Sequence, residues 1–330
     1  MELLTAREQV GGLIVFSSAK LPPAFGLANL GATCWFNALT QALVTCTAFT
    51  TWLREEGAGA GGLCREFGLL AQSPVGGVVV PHNLLAALRE KLRDMRRANT
   101  LFAANGNESA CEGLTLVIEM MDAEARLKPN DTIMSRFQHD IDEWVECGHC
   151  ARRNGVVQTT AIHFEIFGAA PQTPEDFMAA LMEGAGSPVD GDYKCEHCEN
   201  GKQGKAGLRK GGVRKVALRR VREVLVVLFN RYGAAQGGST TAYCPPKVEI
   251  SGVGGKAVYQ LVAQIEHSGS LQGGHYWAHA LREKNARAVQ LNDAVVQPED
   301  KLPQSPQTYM AFYHFVGLLP RESSGVFKRA

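Results

Sequence analysis

Between Cys34 and Leu43 the apolar residues Trp35, Phe36, Leu39 and Leu43 recur at helical spacing, which predicts a buried helix beginning at Cys34. Leu84, Leu85, Leu88, Leu92 and Met95 repeat the pattern with Asn83 as the expected N-cap, and Leu114, Val117, Ile118 and Met121 predict a third helix. Met120 and Met121 read as core members of that helix rather than as a ligand box. The first third of the chain should therefore be mainly helical. After Ile141 the apolar runs shorten. Thr160 to Phe167 and Val224 to Phe229, bounded by Gly, Pro and charged clusters, read as strands. Tyr259, Leu261, Ala263, Ile265 and His267 alternate with Gln260, Val262, Gln264 and Glu266, which predicts a strand with one buried face leading to the glycines before His275. Gly233 to Ser239 and Ser251 to Gly255 read as glycine-rich loops, and no repeat or low-complexity linker divides the chain, so one composite domain is expected.

Composition changes this picture little. With 45% hydrophobic and 20% charged residues in 330, the chain can bury a sizeable core, and a net charge of +1 gives no global reason to expect nucleic acid or an anionic membrane as partner. Glu2, Arg7 and Glu8 interrupt the N-terminus where a signal peptide needs an apolar core, and no stretch is long enough to span a bilayer. The expectation is a soluble intracellular protein, cytoplasmic or nuclear, without membrane insertion. The basic run from Arg209 to Arg222 lacks the interleaved aromatics of a nucleic-acid surface and reads as a solvated face.

The cysteines alter the picture more. Four of the nine form two C-x-x-C pairs, Cys147 with Cys150 and Cys195 with Cys198, a pattern that suits a tetrahedral structural Zn²⁺ site in a reducing compartment better than a disulfide framework. His149 and His197, inside the knuckles, are expected to be exposed rather than ligands.

Cys34 lies in GLANLGATCWFN at the predicted start of a helix, where helix-end amides and the macrodipole favour thiolate and are expected to lower the thiol's pKa. A lone cysteine in a helix is more often a packing residue, so a partner has to decide. His275, in GGHYWA after a predicted strand, is the candidate base; His267 continues the inward face of that strand and reads as a core side chain. A thiolate–imidazole pair needs a group to orient the ring, for which Asn292 and Asp293 both stand downstream, and a donor for the oxyanion, for which Asn29 is placed five residues before Cys34.

GLANLGATCWFN resembles the cysteine box of the ubiquitin-specific proteases, and YQLVAQIEHSGSLQGGHYWAHA resembles their histidine box, in the same order. NESACEGL, the two C-x-x-C pairs, VLVVLFNRY and TYMAFYHF add landmarks, so the resemblance runs from about Phe25 to Gly317. It implies an α+β fold: a papain-like cysteine peptidase core with helical thumb and β-rich palm, and zinc-bearing β fingers. The expected division is a lead-in at 1–22, thumb about 23–130, fingers about 131–232, palm about 233–319 and a tail at 320–330. It also implies a deubiquitinating hydrolase acting on ubiquitin or ubiquitinated proteins after the C-terminal glycine of ubiquitin, with Cys34 as nucleophile, His275 as base, Asn292 (or Asp293) as orienter, Asn29 at the oxyanion and a structural zinc on Cys147, Cys150, Cys195 and Cys198. The alternatives are a poorly active ubiquitin-binding scaffold of the same fold and, from another class, a zinc-ribbon nucleic-acid binder. The chain departs from the family at Ala32 and Trp35, where Asn and Tyr are usual, at Asn107-Glu108-Ser109 in place of Gln-Gln-Asp, and at Arg222 and Phe229 in place of Pro and Leu.

Overall fold

The computed structural model describes residues 8–10, 13–15, 23–72, 77–94, 108–125, 132–167, 170–181, 185–189, 193, 195, 197–198, 211–220, 222–230, 242–252, 255–270, 273–282 and 287–319. Of the expected features, the loop 233–239, Asn107, Met95 and residues 209, 210, 221, 253 and 254 lie outside them.

The chain begins with β1 (Glu8–Val10), β2 (Leu13–Val15) and the two-residue β3 (Gly26–Leu27), then enters the helices α1 (Cys34–Thr45), α2 (Thr47–Glu55) and α3 (Gly62–Ala71). After β4 (Val78–Val79) come α4 (His82–Asp94), α5 (Ala110–Ala125) and the single turn α6 (Met134–Phe137). Helix α4 starts at His82, so Asn83 sits in its first turn instead of capping it.

Every residue of α1 is buried, as expected of a helix enclosed on all sides. Its polar members tie it in place. Gln41 donates to the Phe25 carbonyl at 2.7 Å, Thr45 to the Gln41 carbonyl at 2.7 Å, and Asn37 to Asp293 at 2.7 Å. At its C-terminal end the buried guanidinium of Arg282 donates to the Gln41 carbonyl at 2.9 Å, to Gln41 Oε1 at 2.7 Å and to Thr45 Oγ1. A cation there complements the negative end of the helix dipole. Helix α5 in turn caps two neighbours. Glu124 accepts from the Leu63 and Cys64 amides at the start of α3, both at 3.0 Å, and Asp122 from the Ile133 and Met134 amides at 2.7 and 3.1 Å.

Where α5 crosses α1, a Cβ on Gly113 would come within 2.5 Å of the Trp35 ring. Inside a helix Gly→Ala ordinarily stabilises by about 1 kcal/mol; here the overpacking should reverse the sign. Gly113→Ala is expected to lower the unfolding free energy by about 1–3 kcal/mol in chemical denaturation.

The sheet part comprises β5 (His139–Cys147), β6 (Arg153–Ala161), β7 (Phe164–Phe167), α7 (Pro174–Ala179), β8 (Ala185–Pro188), β9 (Gly212–Arg220), β10 (Val224–Asn230) and β11 (Lys247–Gly252). Then follow β12 (Gly255–Ser270), β13 (Gly273–Arg282), β14 (Arg287–Asn292), β15 (Val295–Glu299) and β16 (Thr308–Leu319). Among the described residues the main sheet runs β1-β2-β16-β12-β13-β14-β15, with β10 on β16, β7 parallel to β10, and β11 on β12; a separate sheet has the order β6-β5-β9-β8. The apolar run expected at Thr160 to Phe167 is thus two strands. At Ile162 and His163 the chain leaves one sheet and joins the other.

The expected one-sided burial of β12 is also corrected, because this strand is central. Val262, Ala263 and Ile265 pack in the cluster shared with the helices, Tyr259 and Leu261 in a second cluster with β10, β16 and Phe177, and Gln264 and Glu266 are buried as well. In the smaller sheet the basic residues of β9 meet the acidic β5: Arg214 with Glu143 at 2.6 Å, Lys215 with Glu146 at 3.3 Å, and Arg220 with Asp140 at 3.3 Å. The described part of the basic run is a cross-strand ion-pair ladder. Among the described residues no helix is long and apolar enough to cross a membrane.

Candidate active site and metal centre

Cys34 is the first residue of α1, and its side chain is nearly enclosed. Burial pushes its thiol above the ordinary value; the amides of Tyr276 on β13, Trp35 and Cys34 itself reach the sulfur and oppose this, while the Asp293 carboxylate adds to it. The expected lowering by the helix start is therefore overturned by desolvation. A thiol in this setting depends on a base to become a nucleophile.

His275 precedes Tyr276 on β13, and its Nε2 lies 2.7 Å from Asn292 Oδ1 at the end of β14. A carbonyl oxygen only accepts, so Nε2 carries the hydrogen and Nδ1 keeps the lone pair. Asp293 is engaged elsewhere. In a left-handed turn (φ 50°), it accepts from Asn37 Nδ2 at 2.7 Å and Asn29 Nδ2 at 2.9 Å, and its carbonyl accepts from the Leu27 amide at 2.8 Å. It fixes the loop and helix that carry Cys34 rather than the imidazole. His267 is buried and stacked on Tyr276, with ring centroids 4.2 Å apart, and its Nε2 stands 2.2 Å from where a Cβ on Gly274 would lie.

Asn29 is exposed, with its carbonyl oxygen held by the Gly31 and Thr33 amides at 3.0 and 3.3 Å. One amide hydrogen goes to Asp293; the group carries a second. Between Asn29 and Cys34 the backbone passes through left-handed φ twice, at Gly31 (94°) and Ala32 (50°). Ala has no means of easing that conformation, whereas Asn adopts it readily. Ala32→Asn is therefore expected to raise stability by about 0.5–1 kcal/mol, read from the denaturation midpoint.

Ser109 stands in place of the Asp of the family pattern. Its hydroxyl lies 3.0 Å from Tyr309 Oη and accepts from the Glu112 amide at 3.4 Å, which makes it a cap of α5. Burial, with the charge of Glu112 beside it, raises the Glu108 carboxyl to about 7.

At the tip of the smaller sheet, the sulfurs of Cys147, Cys150, Cys195 and Cys198 lie within 4.8 Å of one another. Cys147 is 3.8 Å from Cys198 and Cys150 is 3.7 Å from Cys195. Four Zn–S bonds of about 2.3 Å in a tetrahedron place sulfurs about 3.8 Å apart, so this cage fits a zinc ion. The His149 amide donates to Cys147 Sγ at 3.4 Å, while the His149 and His197 side chains are exposed and outside the cluster.

Sequence reasoning brought Cys34, His275, Asn292, Asp293 and Asn29 to one place, but left open which of the Asn-Asp pair meets the ring. It missed Arg282, for which a single arginine at a strand end gives no signal.

A sequence model described as ubiquitin carboxyl-terminal hydrolase matches residues 25–313. No curated protein matches the chain significantly. Solved structures with similar folds include the SAGA Ubp8/Sgf11/Sus1/Sgf73 DUB module bound to ubiquitin aldehyde, with TM-score 0.65 and 14% identity over 92% of this chain and 71% of that one. The same module bound to monoubiquitin gives TM-score 0.63 and 14% identity, covering 92% and 72%. The yeast SAGA DUB module with a mutant Sgf73 gives 0.63 and 13%, covering 92% and 70%.

Proposed function

The chain belongs to the ubiquitin carboxyl-terminal hydrolase family and is a thiol-dependent deubiquitinating hydrolase, and from that premise we propose how its own residues carry the reaction. Cys34 attacks the carbonyl of the C-terminal glycine of ubiquitin. His275 accepts the thiol proton at Nδ1, because Nε2 is committed to Asn292, and returns it to the leaving lysine amine as the tetrahedral intermediate collapses to a thioester. Water, deprotonated by the same nitrogen, then releases ubiquitin and regenerates the thiol.

Asn292 fixes the tautomer and orientation of the imidazole. The second hydrogen of the Asn29 amide and the amide at the start of α1 meet the developing oxyanion, a contribution worth about 2.7–4 kcal/mol per donor in comparable sites. Asp293 holds Asn29 and Asn37 and so places both the oxyanion donor and the helix. Zn²⁺ on Cys147, Cys150, Cys195 and Cys198 is structural, with no open position for chemistry. The thumb is assigned to about 23–130, the fingers to about 131–232 and the palm to about 233–319. The main support for the catalytic roles is the 2.7 Å contact that leaves His275 Nδ1 as base, on the strand whose next amide reaches the Cys34 sulfur. Incubation with lysine-linked diubiquitin is expected to yield ubiquitin with an intact terminal glycine by mass spectrometry. Uncleaved substrate at high enzyme concentration would favour a binding role only.

A further inference from the structure

Alternate positions of β13 place His275, Trp277 and His279 on one face of the strand, and the chemistry above uses only the first. The Trp277 indole lies alongside the His275 imidazole, with ring centroids 6.0 Å and planes 23° apart. Its Nε1–H, which can only donate, points to His279 Nε2 at 3.0 Å. That nitrogen is therefore the lone-pair side of a neutral ring, so Nδ1 carries the hydrogen and donates it to Glu299 Oε2 at 2.7 Å. A second carboxylate, Glu266 on β12, stands 3.7 Å from the same Nε2, and its Oε1 has no hydrogen-bond partner among the described residues. His279 and Glu266 are both 3% exposed. The residues paired with His279 across the sheet, Gln264 on β12 and Gln290 on β14, carry no charge. A donor, the Trp277 indole, and an acceptor, the Glu266 carboxylate, thus compete for one nitrogen of the histidine. Nε2 cannot accept from Trp277 and donate to Glu266 at once.

We infer that His279 is a positioning residue for the reaction: neutral, it holds Trp277 against the flank of His275, and protonated, it turns its second N–H to Glu266 and releases the indole. The inference rests on His275 being the base. An imidazole held only through Nε2 can still swing about that hydrogen bond, and a parallel indole restricts the swing that would carry Nδ1 away from Cys34. Burial opposes the charged form of His279, but hydrogen bonds and charge from Glu266 and Glu299 outweigh it and raise the group above the ordinary imidazole value. Above that raised value the ring is neutral and the indole is held; as pH falls through it, the hold is lost and turnover drops.

The test is hydrolysis of a fluorogenic ubiquitin C-terminal amide from neutral to mildly acidic pH by wild type, His279→Leu and His279→Gln. Gln offers an oxygen to the indole and an N–H to Glu299 but takes up no proton. His279→Leu is expected to lower kcat about tenfold with KM changed less than about twofold, and His279→Gln to recover most of that loss, with its acid limb displaced to lower pH than in wild type. A Leu variant with wild-type kcat, a Gln variant without recovery, or a Gln acid limb superposing on that of wild type overturns the inference. If His279→Leu does not fold, Trp277→Phe replaces it, keeping a ring beside His275 without the donor; a wild-type acid limb there overturns the inference equally. Failure of the underlying site assignment reads out separately, as turnover that survives Cys34→Ala.

Discussion

Replacing Cys34 by Ala should lower kcat by about 10⁴-fold or more, while the protein stays folded and still binds ubiquitin. The substitution removes one sulfur at a helix start and asks nothing of the backbone, and no other thiol shares the contacts of Cys34 with the Tyr276 amide. His275→Ala should cost nearly as much, and the double variant no more than either single one, because nucleophile and base act as a unit. Burial keeps the Cys34 thiol above its ordinary value, so the base is needed even for simple alkylation. At neutral pH, iodoacetamide should modify Cys34 far more slowly in His275→Ala than in wild type. His267→Ala should instead act on stability, since that ring fills the space between Tyr276 and Gly274. The comparison is made by initial rates together with denaturation. Substantial turnover by Cys34→Ala, or a larger rate loss in His267→Ala than in His275→Ala, contradicts the assignment.

The second large effect concerns the metal. Purified protein should carry one zinc per chain, and Cys195→Ser should lose it, because three thiolates no longer close the tetrahedron. Structural zinc contributes about 10–16 kcal/mol of binding free energy in isolated zinc-finger peptides. Little else at the tip replaces it: β6 is mostly exposed, with Val156 and Val157 each 57% accessible. Hydrogen exchange should therefore show protection lost at the β5 and β9 ends near Cys147 and Gly212 and kept in α1 and β13. Metal analysis without zinc, or uniform loss of protection across the chain, goes against a local structural site.

Much of this arrangement was legible in the sequence, where the cause is local. The start of α1 at Cys34, the burial of Met120 and Met121, and the paired cysteine knuckles follow from spacing and residue type. What was not legible depends on partners distant in sequence. The alternation in β12 predicted one buried face, but the strand is enclosed between β16 and β13 and clusters on both sides, which no periodicity within the segment reveals. Asn83 looked like a cap because its residue type suits one, yet the helix begins a residue earlier. The lowering expected at Cys34 considered only the helix that carries it; burial of the thiol in the folded chain reverses the sign, and the Tyr276 amide of β13, more than two hundred residues downstream, only partly offsets it. Likewise Asn292 and Asp293 are chemically alike as partners for an imidazole. Only the left-handed turn at Asp293 decides that its carboxylate faces Asn29 and Asn37 while Asn292 meets the ring.

The most direct measurement of the central claim is labelling with ubiquitin whose C-terminal glycine is replaced by a thiol-reactive electrophile, followed by peptide mapping of the adduct. Eight other cysteines, none of them in a disulfide, serve as internal controls. One ubiquitin per chain is expected, attached to Cys34, with labelling abolished in Cys34→Ala and strongly slowed in His275→Ala. No adduct, or an adduct on any other cysteine that persists in Cys34→Ala, would contradict it.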